Sequence, residues 1–428
     1  MHILLQDLRY SLRMLIKKPG FTAIAVITLA LGIGANTTIL SVVNGFILRS
    51  LPVKDSEELM QPFWGSRKDI EVWNDFSYPD YVDLRDQNQA FSGLLAWQMA
   101  SAGISDSASR SASDGGRADI LWGEIVSGNY FDVLGVKTVL GRTFLPEEDR
   151  TPNSHPVVVL GHTLWQQRFN SDPNIIGRTI YLNGHPFTVI GVAPSYFQGV
   201  KFAIRQDFWV PLMMQAQLGF SERWQTGRDL QYLNLLGRLK SGVTIEQAQA
   251  DLNLIAERLG TLYPNTNADS KIQLVPEKVG RFEEVGGFLK FSAVIAVAVA
   301  GLVLLVACAN VANLLLARAV TRSQEIGIRL AVGAGRFQII RQLLIENLLL
   351  AMVGGALGLL FTFWGADLVQ ASIPPLPYAI NLNVTPDLAV LKWMFIVSLL
   401  TGVISGLAPA LVASRTDLII VLKGNIGG

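Results

Sequence analysis

Two apolar runs and the basic segment between them decide the fold: FSAVIAVAVAGLVLLVACANVANLLLA (Phe291–Ala317), RAVTRSQEIGIRLAVGAGR (Arg318–Arg336) and NLLLAMVGGALGLLFTFWGA (Asn347–Ala366). A helix rises about 1.5 Å per residue, so about 20 apolar residues cross the roughly 30 Å hydrocarbon core of a bilayer. Each apolar run is long enough to do so. Because both neighbours of the basic segment are predicted to cross the membrane, that segment must lie on one face of it.

The basic segment predicts the orientation of the chain. It carries Arg318, Arg322, Arg329 and Arg336 against the single acid Glu325. Short loops rich in arginine stay on the cytoplasmic side because their positive charge resists translocation. We therefore expect this segment to be cytoplasmic.

The same segment is our candidate for docking a partner. On a helix, Arg322, Glu325 and Arg329 share one side, since they are spaced three and four residues apart. Gly333 and Gly335 then allow a turn before the next span, because glycine reaches backbone angles that other residues avoid. A charged pair on a solvated helix contributes only about 0.3–0.5 kcal/mol by itself. The alternative is that these charges are only a solvated pair with no partner. Because this amphipathic helix is confined between two spans, a docking role is favoured over that alternative.

The composition places the chain among membrane proteins. Half of its 428 residues are hydrophobic and 16% are charged, whereas about 25% of residues are charged in soluble domains. The stretch from Ser50 to Val285 has 21 basic and 28 acidic residues, a net charge of −7, and the rest has 14 basic and 6 acidic residues, a net charge of +8. A positive-inside topology with an exported acidic domain produces this segregation. The overall net charge of +1 gives no indication of a nucleic-acid partner.

Residues 1–18 predict an amphipathic helix on the cytoplasmic surface of the membrane. Its basic face carries Arg9, Arg13 and Lys17. The apolar face consists of Leu4, Leu5, Leu8, Leu12, Leu15 and Ile16. Such a helix lies flat on an anionic lipid surface, so membrane lipid is an expected partner. Residues 19–48 then form the first predicted span, whose apolar region is too long for a cleaved signal peptide.

Residues 49–285 predict a globular α+β domain on the outer side. The low-complexity piece Ser101–Gly116 predicts a loop or a hairpin tip. Two strand–helix–strand units are predicted to place helices on one face of a sheet. The first unit comprises Val157–Leu160, His162–Phe169 and a hairpin of Thr179–Leu182 and Phe187–Val192 around Asn183-Gly184. The second comprises Leu233–Leu239, a helix capped by Thr244 and Gln247 and closed by Gly260, and Lys271–Val275.

The remaining boundaries complete a topology of four spans. Residues 286–317 and 337–370 form the second and third spans around the basic segment 318–336, followed by an outer loop at 371–388, the fourth span at 389–414 and a cytoplasmic tail at 415–428. The pairs Gly354/Gly358 and Gly402/Gly406 are GxxxG motifs, which allow helices in membranes to approach closely. The sequence thus predicts a multi-pass α-helical membrane protein with four transmembrane helices, both termini cytoplasmic, and a large α+β domain outside the membrane.

Four stretches are similar to the permeases of MacB/FtsX-type ABC transporters. They are DLRYSLRMLIKKPGFTAIAVITLALGIGANTTILSVVNG (Asp7–Gly45), VSGNYFDVLGVKTVLGRTF (Val126–Phe144), LNGHPFTVIGVAP (Leu182–Pro194) and QEIGIRLAVGAGR (Gln324–Arg336). Together they span nearly the whole chain, and their order and their local sequences agree independently. The chain resembles one half of the long permeases in which this four-span unit occurs twice.

The resemblance implies a mechanotransmission permease of the bacterial inner membrane, whose periplasmic domain has porter-like and sabre-like subdomains. A separate ABC-type ATPase dimer would bind the ATP and grip the segment between the second and third spans, and its motion would pass along the helices to the periplasmic domain for efflux or extraction of a substrate. Carried onto this chain, the ATPase-coupling residues are Arg322, Glu325, Arg329, Gly333, Gly335 and Arg336. The resemblance also implies a second permease copy or a paralogue as a partner, and it is compatible with a periplasmic adaptor as a further partner.

The chain departs from the fused members of that family because it carries no phosphate-binding loop of the Walker type. No GxxxxGK[ST] sequence occurs in it, so a phosphate-binding loop of that type is absent. We therefore expect a non-catalytic subunit without a cofactor, with ATP hydrolysis on a separate chain. His155, His162 and His185 have no spacing that suits a metal site. An alternative function is a regulator that uses the same motion to activate a cell-wall hydrolase or a sensor kinase.

Overall fold

The computed structural model describes residues 2–43, 50–66, 69–105, 119–201, 204–268, 270–284, 286–321, 335–372 and 388–414. The chain forms two compact units. The first comprises Met1–Phe46, Gly286–Pro374 and Leu382–Gly428, and the second comprises Ile47–Val285 and Pro375–Asn381. We call them the helical unit and the inserted domain.

The described residues form helices and strands in the following order. The helices are α1 (His2–Lys17), α2 (Pro19–Val43), α3 (Tyr78–Gln87), α4 (Tyr130–Leu134), α5 (His162–Phe169), α6 (Ile245–Leu262), α7 (Pro264–Asn267), α8 (Glu277–Glu284), α9 (Gly286–Thr321), α10 (Arg336–Ser372) and α11 (Leu388–Ser414). The strands are β1 (Leu59–Ser66), β2 (Asp69–Asn74), β3 (Phe91–Ser105), β4 (Asp119–Val126), β5 (Leu140–Gly141), β6 (Val157–Leu160), β7 (Thr179–Leu182), β8 (His185–Val192), β9 (Phe208–Pro211), β10 (Asn234–Leu239) and β11 (Ser270–Pro276).

Within the described residues, four helices of the helical unit are long and apolar enough to cross a membrane. The spans are Pro19–Ser41 in α2, Phe291–Arg318 in α9, Ile340–Gly365 in α10 and Val390–Leu407 in α11. A helix suits such a segment because it satisfies the backbone hydrogen bonds internally. Large apolar side chains such as Val294, Leu305 and Trp364 are exposed on the bundle, where lipid chains would surround them. The predicted multi-pass fold with four spans is confirmed.

The inserted domain is built on one large mixed sheet. Eleven strands of the described residues take part, with the main order β11-β1-β10-β3-β4-β9-β6-β8-β5. Strand β2 pairs with β1, and β7 pairs with both β3 and β8. The β4–β9 and β6–β8 pairs are parallel, whereas β3 is antiparallel to both β4 and β10. The predicted α+β class of this domain is confirmed.

Apolar side chains cover both faces of this sheet. Along β3, Leu94 belongs to one core cluster and the next residue, Leu95, to the other, because successive side chains of a strand point to opposite faces. Helices α3, α5 and α6 pack on the first face, and α4 packs on the second through Phe131 and Leu134. The two predicted helices, α5 and α6, therefore lie on one face as expected, while α4, which was not predicted from the sequence, covers the other face. Strands that are apolar at successive positions need cover on both sides.

Local sequence signals explain the turns and caps of this domain. Asn183 and Gly184, between β7 and β8, both have positive φ, 51° and 81°, as a type I′ turn requires. The predicted capping box of α6 is also present. Thr244 Oγ1 accepts a hydrogen bond from the Gln247 N–H at 3.3 Å, and Gln247 Oε1 accepts one from the Thr244 N–H at 3.0 Å.

The predicted end of α6 is wrong. The helix does not stop at Gly260 but continues to Leu262. A Cβ at Gly260 would lie 2.9 Å from the Asn267 carbonyl oxygen. The glycine therefore allows α7 to approach α6 closely, and it does not terminate the helix.

The predicted loop from Ser101 onward is also partly wrong. Strand β3 extends to Ser105, because it pairs with β4 up to Ile104 and then with β7 at Ile104 and Ser105. The first residues of the low-complexity piece are therefore strand. Residues 106–118 of that prediction lie outside the described residues.

Candidate functional site

The predicted ATPase-coupling residues are only partly included in the described residues. The residues outside are Arg322, Glu325, Arg329 and Gly333. Gly335 is exposed, and its carbonyl oxygen accepts a hydrogen bond from the Gln338 N–H at 2.9 Å. Arg336 is the first residue of α10. The docking role of these residues stays a prediction.

A buried ion pair joins the two helices that flank this segment. Arg318, the last residue of the span in α9, donates a hydrogen bond from Nη1 to Oε1 of Glu346 in α10 at 2.5 Å. The two residues are almost fully buried, with exposed fractions of 8% and 4%. Burying two charges is tolerated when they face each other closely, because an isolated charge in an apolar surrounding is costly. The pair therefore fixes α9 and α10 to each other, close to the end of α9 and ten residues after the first residue of α10.

The first span meets the same ion pair. The Arg318 guanidinium lies over the ring of Phe21, 4.4 Å from its centroid, where the ring quadrupole attracts a cation. Phe21 is the third residue of α2. The beginning of α2, the end of the span in α9 and the first turns of the span in α10 are therefore at one level of the bundle. These three helix ends lie on the same side of the membrane.

An apolar cluster next to the ion pair attaches α1 to the spans. It includes Leu15 of α1, Leu315 of α9 and Leu350 of α10. Thr22 Oγ1 of α2 also donates a hydrogen bond to the Leu15 carbonyl oxygen at 2.8 Å. The N-terminal helix is thus held by three spans at once.

Small residues bring α2 and α10 into backbone contact. A Cβ at Gly358 would lie 3.0 Å from the Ala30 carbonyl oxygen and 3.1 Å from the Gly34 nitrogen. A Cβ at Gly354 would lie 2.7 Å from the Leu29 Cβ. The predicted GxxxG pair on α10 therefore allows the close approach of two helices that such motifs provide in membranes.

The second GxxxG pair lies on α11 and faces α10. A Cβ at Gly402 would lie 3.0 Å from the Ala351 Cβ, and one at Gly406 would overlap the Asn347 side chain. Asn347 directly follows Glu346 in α10. The contact with α11 and the ion pair with α9 therefore meet at the same turn of α10.

A polar contact joins α2 to α9 farther along the bundle. Asn36 is buried and donates a hydrogen bond from Nδ2 to the Ala300 carbonyl oxygen at 3.0 Å. Side-chain amides stabilise helix pairs in membranes through such bonds, each contributing about 0.6 kcal/mol on average. The first and second spans are thus joined at two levels, at Asn36 and at Phe21.

Glu124 is a carboxylate enclosed in the core of the inserted domain, with an exposed fraction of 0%. Its Oε2 accepts hydrogen bonds from the Tyr130 hydroxyl at 2.5 Å and from the Trp209 indole at 2.8 Å, and its Oε1 accepts one from the Lys201 N–H at 3.2 Å. Burial raises the pKa of Glu124, and these hydrogen bonds act against that shift. The carboxylate is enclosed by its own donors, which indicates a role in joining β4, α4 and β9.

Asp149 is a second acid of the inserted domain with a shifted pKa. Its Oδ2 accepts a hydrogen bond from the Gly128 N–H at 2.7 Å. Burial raises the pKa of Asp149 to about 6, while the Gly128 N–H and the charge of Arg85 act in the opposite direction. Asp149 therefore changes its charge in the mildly acidic range, which makes the stability of this domain dependent on pH.

The described residues offer no metal centre, since no three His, Cys, Asp or Glu side chains among them are grouped so as to hold an ion. The ion pair of Arg318 and Glu346 is the feature that sequence reasoning missed. Each residue was visible as a charge near the end of a span, but their pairing depends on how α9 and α10 rotate against each other. An acid within a span is the signal that could have prompted a search for its cation.

Both parts of the chain match known family models. Residues 22–255 match the MacB-like periplasmic core domain, and residues 297–418 match the FtsX-like permease C-terminal domain. The crystal structure of the periplasmic region of MacB from Actinobacillus actinomycetemcomitans aligns with 52% of this chain and 91% of its own, at 19% identity and a TM-score of 0.37.

Two curated relatives have similar sequences. The macrolide export ATP-binding/permease protein MacB of Salmonella typhi is 30% identical over 299 residues, and that of Escherichia coli is 31% identical over 297 residues. Each alignment covers 68% of this chain and 42% of the relative, so the chain spans less than half the length of these relatives. Because the first family model alone covers more than half of the chain, this multi-pass protein belongs to the MacB/FtsX-type family of ABC transporter permeases.

Proposed function

We propose that this chain is the permease subunit of an ABC transporter and transmits the ATP-driven motion of a separate ATPase to the periplasmic domain. The work done there is efflux or extraction of a substrate from the outer face of the inner membrane. The observation that carries this proposal is the buried ion pair of Arg318 and Glu346, which joins the helices at both ends of the predicted coupling segment. Because α9 and α10 are joined in this way, a force that a partner applies to the segment between them would act on both helices together.

The lengths of the helices support transmission over the thickness of a membrane. Helix α9 has 36 residues and α10 has 37, which at about 1.5 Å per residue is roughly 54 Å for each. In the sequence, α9 follows the inserted domain directly and ends at Thr321, within the first residues of the coupling segment. A displacement at the inner end of α9 would therefore pass along one continuous helix to the point where the periplasmic domain begins.

The contacts of Arg318 extend this motion to other spans. Phe21 brings the first span to the same ion pair, and Gly358 holds that span against α10. In the sequence, the first span precedes the inserted domain. The two helices that flank this domain in the sequence, α2 and α9, would thus respond together to a force on the coupling segment.

The proposed orientation places both termini and the coupling segment in the cytoplasm. The arginines of that segment support it, because positive loops resist translocation. The partners are an ABC-type ATPase dimer, which supplies the ATP site, and a second permease copy or a paralogue, so that each ATPase subunit engages one coupling segment. A periplasmic adaptor is a further proposed partner of the inserted domain.

The test is co-purification of the ATPase from native membranes with a tagged chain. Glu325→Arg and Arg329→Glu reverse charges of the coupling segment, and Lys137→Glu reverses an exposed charge of the inserted domain as a matched control. We expect both coupling variants to insert in the membrane but to lose the ATPase, while the control retains it. Full recovery of the ATPase with the combined Glu325→Arg and Arg329→Glu variant would contradict the docking role.

Deletion of the chain separates transport from regulation. Loss of efflux or of extraction supports the proposed transport function. Altered cleavage of the cell wall with intact efflux would instead support the regulatory alternative. Both measurements are needed on one strain, because the motion of the permease is the same in either case.

A further inference from the structure

Helix α1 has three different faces in the structure. Ser11 and Leu15 are buried, with exposed fractions of 1% and 7%. The predicted apolar face is therefore only partly buried: Leu15 packs inward, whereas Leu12 and Ile16 are 53% and 71% exposed. A third face carries basic side chains at a spacing of four residues. These exposed residues are Arg9, Arg13 and Lys17.

The buried face fixes α1 to the bundle. Leu15 lies in the apolar cluster with Leu315 and Leu350, and its carbonyl oxygen accepts the hydrogen bond from Thr22. Only Lys18 separates α1 from α2. The exposed face of α1 is consequently held next to the first turn of the first span, at the surface of the membrane.

The exposed face has the chemistry of a lipid-headgroup site. Leu12 and Ile16 are apolar and lie beside the start of a span, so they would enter the boundary between headgroups and acyl chains. The neighbouring arginine and lysine side chains are long enough to keep their charges at the level of the headgroups while their stems cover apolar surface. Asp7 is the single acid of α1 against three basic residues. This charge is complementary to anionic phospholipids, which basic segments beside a membrane attract.

We propose that α1 is a docking surface for anionic phospholipid headgroups, held by Arg9, Arg13 and Lys17 with Leu12 and Ile16 in the lipid. Leu15 packs against α9 and α10 beside the ion pair of Arg318, so this surface is linked to the inner ends of those two helices. This proposal concerns the membrane and goes beyond the proposed coupling to an ATPase. Its test needs only this chain in a lipid bilayer. Failure of the lipid proposal would therefore leave the proposed coupling to an ATPase standing, and failure of that coupling would leave the lipid proposal standing.

The experiment measures which lipid lies next to α1 in the full-length protein. In a Cys308→Ser background, which removes the single native thiol, a Leu12→Cys variant is labelled with an environment-sensitive fluorophore and placed in nanodiscs. The discs contain phosphatidylcholine and phosphatidylglycerol in equal amounts, with a spin label on the acyl chain of one or of the other. Quenching by labelled phosphatidylglycerol relative to labelled phosphatidylcholine reports the enrichment of the anionic lipid.

We expect labelled phosphatidylglycerol to quench at least about twofold more strongly, since each basic side chain near an anionic surface favours it by roughly fivefold before screening by salt. Combined replacement of Arg9, Arg13 and Lys17 by glutamine should bring the ratio to about one. The matched control, Arg9→Lys with Arg13→Lys, keeps the charge and should keep the ratio. High salt should lower the ratio of the basic protein and leave that of the glutamine variant unchanged.

Two results would overturn the proposal. A ratio of one for the unsubstituted helix would exclude anionic lipid as its occupant and would favour an acidic protein surface instead. An elevated ratio that the glutamine variant retains would assign the enrichment to another part of the bundle. Circular dichroism of each variant establishes that the helices are intact before the ratios are compared.

Discussion

Removing one charge of the Arg318–Glu346 pair should destabilise the helical unit, and removing both should restore most of its stability. Both side chains are almost fully buried and 2.5 Å apart, and breaking such a pair by removing one partner costs about 3–5 kcal/mol. Glu346→Leu should cost less than Arg318→Met. The Phe21 ring still faces the cation in the first variant, and such a contact contributes about 1–2 kcal/mol. The double variant replaces the pair by apolar residues, which is often close to neutral.

The chain contains its own reporter for this experiment. Cys308 is its single cysteine, lies in α9 and has an exposed fraction of 6%. A thiol-reactive dye therefore reacts when the bundle opens, and its fluorescence on heating in detergent gives an apparent unfolding temperature. On the scale of a domain of 150–250 residues, about 3–5 kcal/mol corresponds to a decrease of roughly 6–20 °C.

The comparison of single and double variants decides whether the pair is coupled. If the two side chains interact as described, the loss in the double variant is much smaller than the sum of the two single losses. Lys137→Met removes an exposed charge of the inserted domain and should leave the dye transition unchanged. Single variants as stable as the original chain, or additive losses in the double variant, would refute the role assigned to the pair.

Three further predictions concern glycines and one acid. Gly358→Ala should lower the dye transition, because its Cβ meets the backbone of α2, whereas Gly301→Ala in α9 has no atom within 4 Å and should not. Gly199→Ala should reduce urea resistance, followed by tryptophan fluorescence, more than Gly219→Ala. Both glycines have positive φ, 98° and 90°, but only the Cβ of the first would meet other atoms. Asp149→Asn should stabilise the inserted domain by about 1–2 kcal/mol at pH 7 and remove part of the pH dependence of its stability. A difference in stability between the variant and the original chain that is the same at pH 4 and at pH 7 would contradict this.

The sign of the Asp149 effect follows from its two pKa values. Burial raises the pKa from 3.8 to about 6 in the folded chain. Between these values the folded state binds more protons than the unfolded state, so stability falls as pH rises from about 4 to about 6. Above that range the cost of the buried charge is fully present. Asparagine has the same shape and carries no charge, so its contribution does not change with pH.

Local signals in the sequence were sufficient for much of the fold. The spans follow from length and lack of charge, the turn at Asn183 and Gly184 from the φ values that these residues tolerate, and the start of α6 from the reciprocal bonds of Thr244 and Gln247. Each signal lies within one continuous stretch of the chain, about 20 residues for a span and a few for the turn and the cap, so it can be recognised without knowing which distant residues pack against it.

Contacts between distant residues explain what the sequence did not reveal. Gly260 resembles a helix terminator, but its lack of a side chain accommodates Asn267 in the next helix. The small residues near Ser101 resemble a loop, yet β4 and β7 pair with them and extend β3. In both cases a contact with a residue distant in the sequence gives the residue a different structure from the one that its local preference predicts.

In the candidate site, too, the sequence does not reveal which distant residues meet. An acid such as Glu346 inside a span requires a cation at its own depth, and Arg318 ends the neighbouring span at that depth. Other basic residues, Lys17 and Lys18 among them, also lie next to a span in the sequence. The choice among them depends on the rotation of α10 about its axis, and the same helix lies in backbone contact with α2 at Gly358. Which charges meet is therefore set by the packing of α10 against its neighbours, to which the close approach at Gly358 contributes.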